Sequence, residues 1–145
     1  IDVKRYSLVF VLSGPEPQRT ILERLCISLA QKMQYKSLII RGKPGNKEKP
    51  PTKISCLDFV NHLPDEMLGS YLQKAQIIIC RSGYSTIMDL AALNKTAILI
   101  PTPGQTEQEY LAEYHRQKKR FYSSPQKTFE SFCSKNKNLL SLLYG

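Results

Sequence analysis

The apolar positions of the chain follow two patterns that alternate along its length. Short continuous runs of aliphatic, aromatic and β-branched residues are typical of strands that are covered on both faces. Between these runs, apolar residues recur at intervals of three and four, which is typical of helices with one buried face. The predicted strands span residues 6–12, 37–40, 54–60, 76–80 and 96–100. This alternation predicts an α/β fold built on a doubly wound parallel sheet.

Helices are predicted between the strands, and two of their starts carry recognisable signals. The predicted helices span residues 20–33, a segment that begins at Pro64, a segment from the turn at Arg81 through Leu93, and residues 106 to about 119. Pro64 precedes Asp65 and Glu66, and acidic residues are favoured in a first turn. Thr106 and Glu109 have the spacing of a capping box. The second of these helices is predicted to bury Met67, Leu68, Tyr71 and Leu72.

The remaining segments have weaker patterns. Residues 41–53 lack apolar periodicity and contain the pair Pro50 and Pro51, so we expect a solvated loop there. After Phe121 the sequence predicts a short strand or turn and then one or two closing helices. The predicted core residues of those helices are Phe129, Phe132, Leu139, Leu140, Leu142 and Leu143.

Length and composition narrow the class of protein. The chain has 145 residues, 41% hydrophobic and 23% charged, as in one globular domain rather than a disordered or fibrous chain. No apolar run approaches the roughly 20 residues of a membrane-spanning helix. The cysteines are Cys26, Cys56, Cys80 and Cys133. Their spacing predicts buried, reduced thiols and neither a metal site nor a cofactor. Because the chain begins at Ile1 without Met, we expect a piece of a longer polypeptide.

The formal net charge of +9 is unevenly distributed. Residues 41–53 hold five basic residues and one acidic residue, and residues 115–145 hold seven and one. A basic surface can bind an anionic membrane or a nucleic acid. Ordinary solvated helix faces would produce the same count. The basic residues are not interleaved with aromatic residues on one element, so nucleic-acid binding is kept only as an alternative.

In a doubly wound sheet, ligands bind where the strands end and the following helices begin. The segment after the fourth predicted strand is the most informative, because a buried strand leads through Arg81, Ser82 and Gly83 into a helix. Free backbone N–H groups, hydroxyl donors and the helix dipole favour an anion at such a place. Asp89 lies one turn beyond Thr86, where a carboxylate can accept from two ribose hydroxyls. Alternatively, Ser82 and Ser85 only cap the helix and Asp89 is a solvated acid.

Other strand ends carry weaker signals. Ser13 and Gly14 follow the first strand, where a glycine can bring the backbone to a phosphate or simply form a tight turn. Gln108 and Glu109 can hold sugar hydroxyls, which need paired donors and acceptors, or can belong to the capping box. The two histidines are isolated, and no combination of residues suggests a complete catalytic apparatus. We therefore predict no catalytic residue within this chain.

Several of these residues together resemble a known family. They are Phe59 and Val60, the run Cys80-Arg81-Ser82-Gly83 with Thr86, Asp89, Ala91 and Ala92, then Ile100, Pro101 and Gln108. This set is similar to the C-terminal half of MurG-like glycosyltransferases, over residues 8–114. Those are GT-B enzymes that transfer N-acetylglucosamine from UDP-N-acetylglucosamine (UDP-GlcNAc). The resemblance implies one Rossmann-like domain over residues 1–145 that binds a nucleotide sugar, with the acceptor domain and catalytic base outside it.

The resemblance also implies which residues bind the donor. They are Ser13, Gly14, Phe59, Val60, Leu63, Arg81, Ser82, Gly83, Thr86, Asp89, Gln108 and Glu109. By position, the Val60 backbone would pair with uracil beside Phe59 and Leu63. Asp89 would accept from the ribose hydroxyls, and Gln108 and Glu109 would bind the sugar. The chain departs from the family at Asp89, where the family usually has Glu.

The resemblance likewise implies that the diphosphate lies at the loops after the first and fourth strands. Ser13 and Gly14 would approach it from one side, and Ser82, Gly83 and Thr86 from the other. The first loop is less rich in glycine than is common in the family. UDP leaves as an anion, which a helix N-terminus and basic side chains can stabilise without a metal. Arg81 and Arg19 are the candidate cations, although Arg81 can instead be structural.

These implications lead to one leading hypothesis and its rivals. The leading one is the UDP-sugar-binding domain of a metal-independent N-acetylglucosaminyl transferase of cell-envelope biosynthesis, inactive by itself. Its predicted location is the cytoplasm, at the inner face of the membrane if the basic segments bind lipid. Alternatives are a non-catalytic subunit of a split transferase, a sugar-nucleotide epimerase or hydrolase, and a basic nucleic-acid-binding domain.

Overall fold

The computed structural model describes residues 2–45 and 48–135. They form one parallel sheet with helices packed on both of its faces. The strands are β1 Leu8–Val11, β2 Ser37–Ile40, β3 Leu57–Val60, β4 Ile77–Cys80, β5 Ile98–Leu99 and β6 Tyr122–Ser123. Their order across the sheet is β3-β2-β1-β4-β5-β6, and every neighbouring pair is parallel. This is the strand order of a Rossmann-type fold. The predicted doubly wound α/β class is confirmed.

Helices cover both faces of this sheet. They are α1 Gln18–Met33, α2 Asp65–Lys74, α3 Tyr84–Ala92, α4 Thr106–Gln117 and α5 Phe129–Lys135, with a short 3₁₀ helix at Gln126–Thr128. α2, α3 and α4 pack on one face through buried residues such as Leu72, Leu90 and Ala112. α1 and α5 pack on the other through Leu22 and Phe129. The sheet is therefore shielded from water on both sides.

Side chains alternate between the two faces of each strand, which explains why the strands appear in the sequence as continuous apolar runs. In β1, Val9 faces α2–α4, whereas Leu8 and Phe10 face α1 and α5. In β4, Ile78 and Ile79 divide between the two faces in the same way. Because both faces are covered, no polar position is needed in either strand.

The structure corrects several predicted details. β3 begins at Leu57 rather than at residue 54, because Ile54 forms an isolated antiparallel bridge to Leu57 across a tight turn. In α2 only Leu72 is fully buried, and the other predicted core residues of that helix are half-buried against the same cluster. All four cysteines are free, but Cys56 and Cys133 are only half-buried. The predicted core residues Leu139, Leu140, Leu142 and Leu143 lie outside the described residues.

Within the part of the chain that the structure describes, no helix has both the length and the apolar character needed to cross a bilayer.

Candidate functional site

A crevice is expected between β1 and β4, because the direction in which the chain builds the sheet reverses there. From β1 the chain proceeds outward to β2 and β3, and from β4 it proceeds the other way to β5 and β6. The helices that follow β1 and β4 consequently lie on opposite faces. The loops of residues 12–17 and 81–83 therefore flank the topological switch point, where ligands of such sheets bind.

The start of α3 presents unused backbone donors to this crevice. Its N-cap is Gly83, in an extended conformation, and no side chain of the described residues caps the helix. The first bond within the helix runs from the Ile87 N–H to the Gly83 carbonyl, so the preceding N–H groups have no acceptor within α3. Ser82 is buried, and its hydroxyl donates to the Gln108 carbonyl oxygen at 2.7 Å. The alternative in which Ser82 caps α3 is therefore wrong.

Arg81 is a buried cation directly beneath this helix start. Its side chain is 2% exposed, and Nη1 donates to the carbonyl oxygens of Ile100 and Pro101 at 3.3 and 3.4 Å. Nη2 donates to the Gln18 carbonyl at 3.2 Å, whereas Nε has no hydrogen-bond partner in residues 2–45 and 48–135. Burial lowers the pKa of Arg81 to about 10, so the group is charged at neutral pH. Among the described residues no carboxylate forms an ion pair with it.

Arg81 thus has both of the roles that the sequence left open. Its guanidinium is held by backbone carbonyls of the β5 end and of α1, so it braces the two sides of the crevice. Its charge is not neutralised by an acid, so it raises the electrostatic potential at the start of α3. Arg19, the other candidate cation, is different, because it is paired with Glu16 and Glu23 at 3.0 Å each.

The loop after β1 faces a buried hydroxyl that sequence analysis did not single out. Gly14 has a φ of +97°, a conformation that favours glycine. A Cβ at this position would lie 3.5 Å from Thr102 Oγ1. Thr102 is 1% exposed, and Oγ1 has no hydrogen-bond partner among the described residues. Its position just after the fifth strand was the available signal, since residues at strand ends line such crevices.

Gln108 links α4 to the same loop. Its Oε1 accepts from the Thr102 N–H and its Nε2 donates to Gln105 Oε1, both at 2.8 Å. The predicted capping box is wrong, because the N-cap is Gln105 and Thr106 already lies inside the helix. Glu109 is exposed in the first turn. Gln108 therefore braces the loop after β5, and Glu109 faces solvent.

The remaining predicted residues lie at the same edge of the sheet. Asp89 is exposed on α3, one turn after the half-buried Thr86, and its carboxylate has no hydrogen bond among the described residues. At the end of β3, Phe59 and Val60 are half-buried and Leu63 is buried. The Val60 carbonyl already accepts from the Arg41 N–H at 2.8 Å, so a base would have to share that oxygen. Ser13 is exposed beside Gly14.

The unpartnered hydroxyl of Thr102 leads to a stability prediction. We expect Thr102→Val to leave the free energy of unfolding unchanged or to raise it by up to about 1 kcal/mol, because it removes a buried polar group without a partner. Ser82→Ala is the control, since it removes a buried hydrogen bond and should cost about 1 to 2 kcal/mol. Urea denaturation of the two variants measures both values. A loss with Thr102→Val as large as that with Ser82→Ala would contradict the assignment of an unpartnered hydroxyl.

Comparison with known proteins places the chain in a family. Residues 8–133 match the family model described as the glycosyltransferase family 28 C-terminal domain. The chain belongs to this family. The match covers all six strands and nearly all of the described helices. The loops described above therefore belong to a glycosyltransferase family 28 C-terminal domain.

Individual relatives match over shorter segments. A protein of Methylobacterium radiotolerans is 39% identical over 59 residues, which are 41% of this chain and 15% of that protein. A protein of Rhodopseudomonas palustris is 37% identical over 62 residues, or 41% of this chain and 16% of that protein. Both carry the name UDP-N-acetylglucosamine--N-acetylmuramyl-(pentapeptide) pyrophosphoryl-undecaprenol N-acetylglucosamine transferase. The matched segments are thus a small part of each relative.

Solved glycosyltransferases share the fold. MurG of Acinetobacter baumannii has a TM-score of 0.65 and 17% identity, over 94% of this chain and 45% of that one. The glycosyltransferase VinC, solved in complex with DTDP, has a TM-score of 0.66 and 12% identity, over 94% of this chain and 33% of that one. The predicted likeness to the C-terminal half of a GT-B enzyme is confirmed. The chain spans less than half the length of either structure.

Proposed function

We propose that this domain binds the UDP-sugar donor of a glycosyltransferase, with UDP-GlcNAc as the first candidate. The observation that carries the proposal is the uncapped start of α3 above Arg81, a buried cation that no described carboxylate neutralises. A diphosphate supplies the missing negative charge and acceptors for the N–H groups of the first helical turn. The names of the relatives, which are N-acetylglucosamine transferases, support the choice of sugar.

The proposed roles follow the position of each residue around the crevice. The diphosphate lies between the loop of Ser13 and Gly14 and the α3 start. Asp89, exposed one turn along α3, accepts from the ribose hydroxyls, because a carboxylate has acceptors for both. Residues 59–63 form the base end of the crevice, and Gln108 with Glu109 the sugar end.

The chemical contribution of this domain is electrostatic. Transfer of the sugar requires UDP to leave as an anion, and fixed dipoles and charges stabilise such a leaving group most when they are already in place. The α3 N-terminus and Arg81 provide these charges, so the proposal needs no metal ion. The acceptor site and the catalytic base lie outside this chain, which by itself binds the donor without turnover. We also propose that the complete protein works at the cytoplasmic face of the membrane.

A titration with four nucleotides tests the proposal. UDP, UDP-GlcNAc, GDP and ADP are each added to the purified chain, and amide chemical shifts are followed to saturation. Binding of the two uridine ligands with shifts at residues 81–89 supports the donor site. Equal binding of all four, or no binding, would reject it. Assays of turnover with and without an acceptor-domain partner then separate a subunit of a split transferase from one half of a single enzyme.

Substitution of Asp89 tests the ribose contact. We expect Asp89→Asn to weaken UDP binding about tenfold, the cost of losing a charged acceptor, with little change in stability because the side chain is exposed. Glu130→Gln removes one negative charge on the opposite face of the sheet and should leave the affinity unchanged. Calorimetric titration of both variants measures the difference. Equal affinities would remove Asp89 from the site.

A further inference from the structure

The loop after β1 contains a carboxylate that is bound as a ligand anion would be. Glu16 Oε1 accepts from the Thr20 backbone N–H at 3.0 Å and from the Thr20 hydroxyl at 2.7 Å. Glu16 Oε2 accepts from Arg19 Nε at 3.0 Å. A backbone N–H in the first turn of a helix, a hydroxyl and a guanidinium are the donors that proteins use to bind phosphate. In this chain those donors at the start of α1 hold the protein's own carboxylate.

Independent features around the same loop indicate that an anion is expected there. Thr102 Oγ1, buried and without a partner, lies 3.5 Å from the point that a Gly14 Cβ would occupy. Arg81 contacts the start of α1 through the Gln18 carbonyl, while its Nε is also buried and unpartnered. Thr102 Oγ1 therefore lies against the loop that carries Glu16, and Arg81 contacts the first residue of α1. These two side chains belong to the loops after β5 and after β4, and neither takes part in holding Glu16.

The Glu16 carboxylate can turn away from α1 without itself becoming a buried charge. Its side chain is 51% exposed, so the carboxylate can turn into solvent. Arg19 would then keep its ion pair with Glu23 at 3.0 Å, while its Nε would become free. The hydrogen bond from the Thr20 hydroxyl lowers the pKa of Glu16 to about 2. The group is therefore negatively charged throughout the neutral range.

We propose that Glu16 is an internal competitor of the ligand diphosphate. Its carboxylate occupies donors of Thr20 and Arg19 at the edge of the crevice and repels a second anion there. Glu16 therefore limits the affinity for ligands that carry a diphosphate and has no effect on the nucleoside alone. This inference rests on the proposed function, since it assigns a specificity-determining residue to the same donor site.

The test compares UDP with uridine in Glu16→Gln, which removes the charge and keeps the length of the side chain. We expect UDP to bind about three to ten times more tightly than to the wild type, the effect of removing one like charge a few ångströms from the ligand. Uridine affinity should not change. Glu66→Gln, which removes an exposed acid from the first turn of α2, is the control and should alter neither affinity.

A second substitution separates shared donors from a general change in charge. Adding Thr20→Val to Glu16→Gln removes a hydroxyl that the diphosphate would take over, and it should cancel a large part of the gain. Glu16→Ala removes the same charge with no polar side chain and should also tighten UDP binding. Melting curves establish that each variant is folded.

The outcomes distinguish this inference from the proposed function. If the wild type binds UDP and the folded Glu16 variants bind it equally or more weakly, the inference is overturned and the donor site stands. If uridine gains as much as UDP, competition for the diphosphate is also rejected. If neither the wild type nor Glu16→Gln binds UDP, both the inference and the proposed function are rejected.

Discussion

Gly42→Ala is expected to lower the free energy of unfolding by about 3 kcal/mol or more, since it combines backbone strain with a clash against the neighbouring backbone. Gly42 has a φ of +69°, and an added Cβ would lie 2.2 Å from the Leu12 carbonyl oxygen and 3.1 Å from the Leu12 carbonyl carbon. The obstacle is backbone at the end of β1, so no side chain can rotate away. Urea denaturation of the variant measures the loss.

The same substitution at a neighbouring glycine provides the control. Gly45 has a similar φ of +73°, but no atom of the described residues lies within 4 Å of its Cβ position. Gly45→Ala should therefore carry the strain of the left-handed conformation alone, about 1 kcal/mol. If the two variants lose equal stability, close approach of the two loops is not what Gly42 provides. Because Leu12 precedes Ser13, we also expect Gly42→Ala to weaken UDP binding, whereas Gly45→Ala should not.

Glu23→Ala is expected to destabilise the chain by about 3 to 5 kcal/mol, the usual cost of removing one partner from a buried ion pair. Glu23 lies between two guanidinium groups, accepting from Arg19 Nη2 at 3.0 Å and from Arg41 Nε at 2.8 Å, and all three side chains are 3% exposed. Its loss leaves two buried cations without their shared counter-charge. The measurement is again the midpoint and slope of urea unfolding.

An exposed ion pair in the same chain calibrates this prediction. Glu113 pairs with Arg116 at 2.6 Å on the surface of α4. Glu113→Ala should cost little stability, because water screens an exposed pair and solvates the remaining charge. If Glu23→Ala lowers the free energy of unfolding no more than Glu113→Ala does, the two buried cations find other partners. A large loss would identify Glu23 as the residue that holds α1 to the end of β2.

Periodicity alone predicted each of the strands β1 to β5, although β1 and β5 are shorter than the predicted 6–12 and 96–100. The bounds of β2 were predicted without error, because its four residues are all buried and its neighbours are polar. The predicted third strand was too long, since Ile54 is apolar but serves a turn that closes against Leu57. A local pattern cannot distinguish an apolar residue in a strand from one that folds back on it.

In the candidate site, the sequence likewise predicted where residues lie along the fold but not which groups they contact. The order of strands and helices predicted that Ser82, Gly83 and Asp89 follow the end of a central strand, and the structure places them there. The sequence could not predict that Ser82 donates to the Gln108 carbonyl rather than capping α3. Nor could it show that Arg19 is neutralised while Arg81 is not. Those outcomes depend on which groups meet across distant segments.

The sequence by itself therefore determined the α/β class, the succession of elements and the edge of the sheet at which the candidate ligand site lies. These follow from local spacing of apolar residues and from the geometry of parallel strands, which brings their carboxyl ends together. The tertiary structure alone decided the charge state of the crevice. Glu23 binds Arg41 across 18 positions of the chain, and Arg81 reaches the Gln18 carbonyl across 63. Electrostatic energy depends on such distances in space and on burial, and neither is written in local sequence.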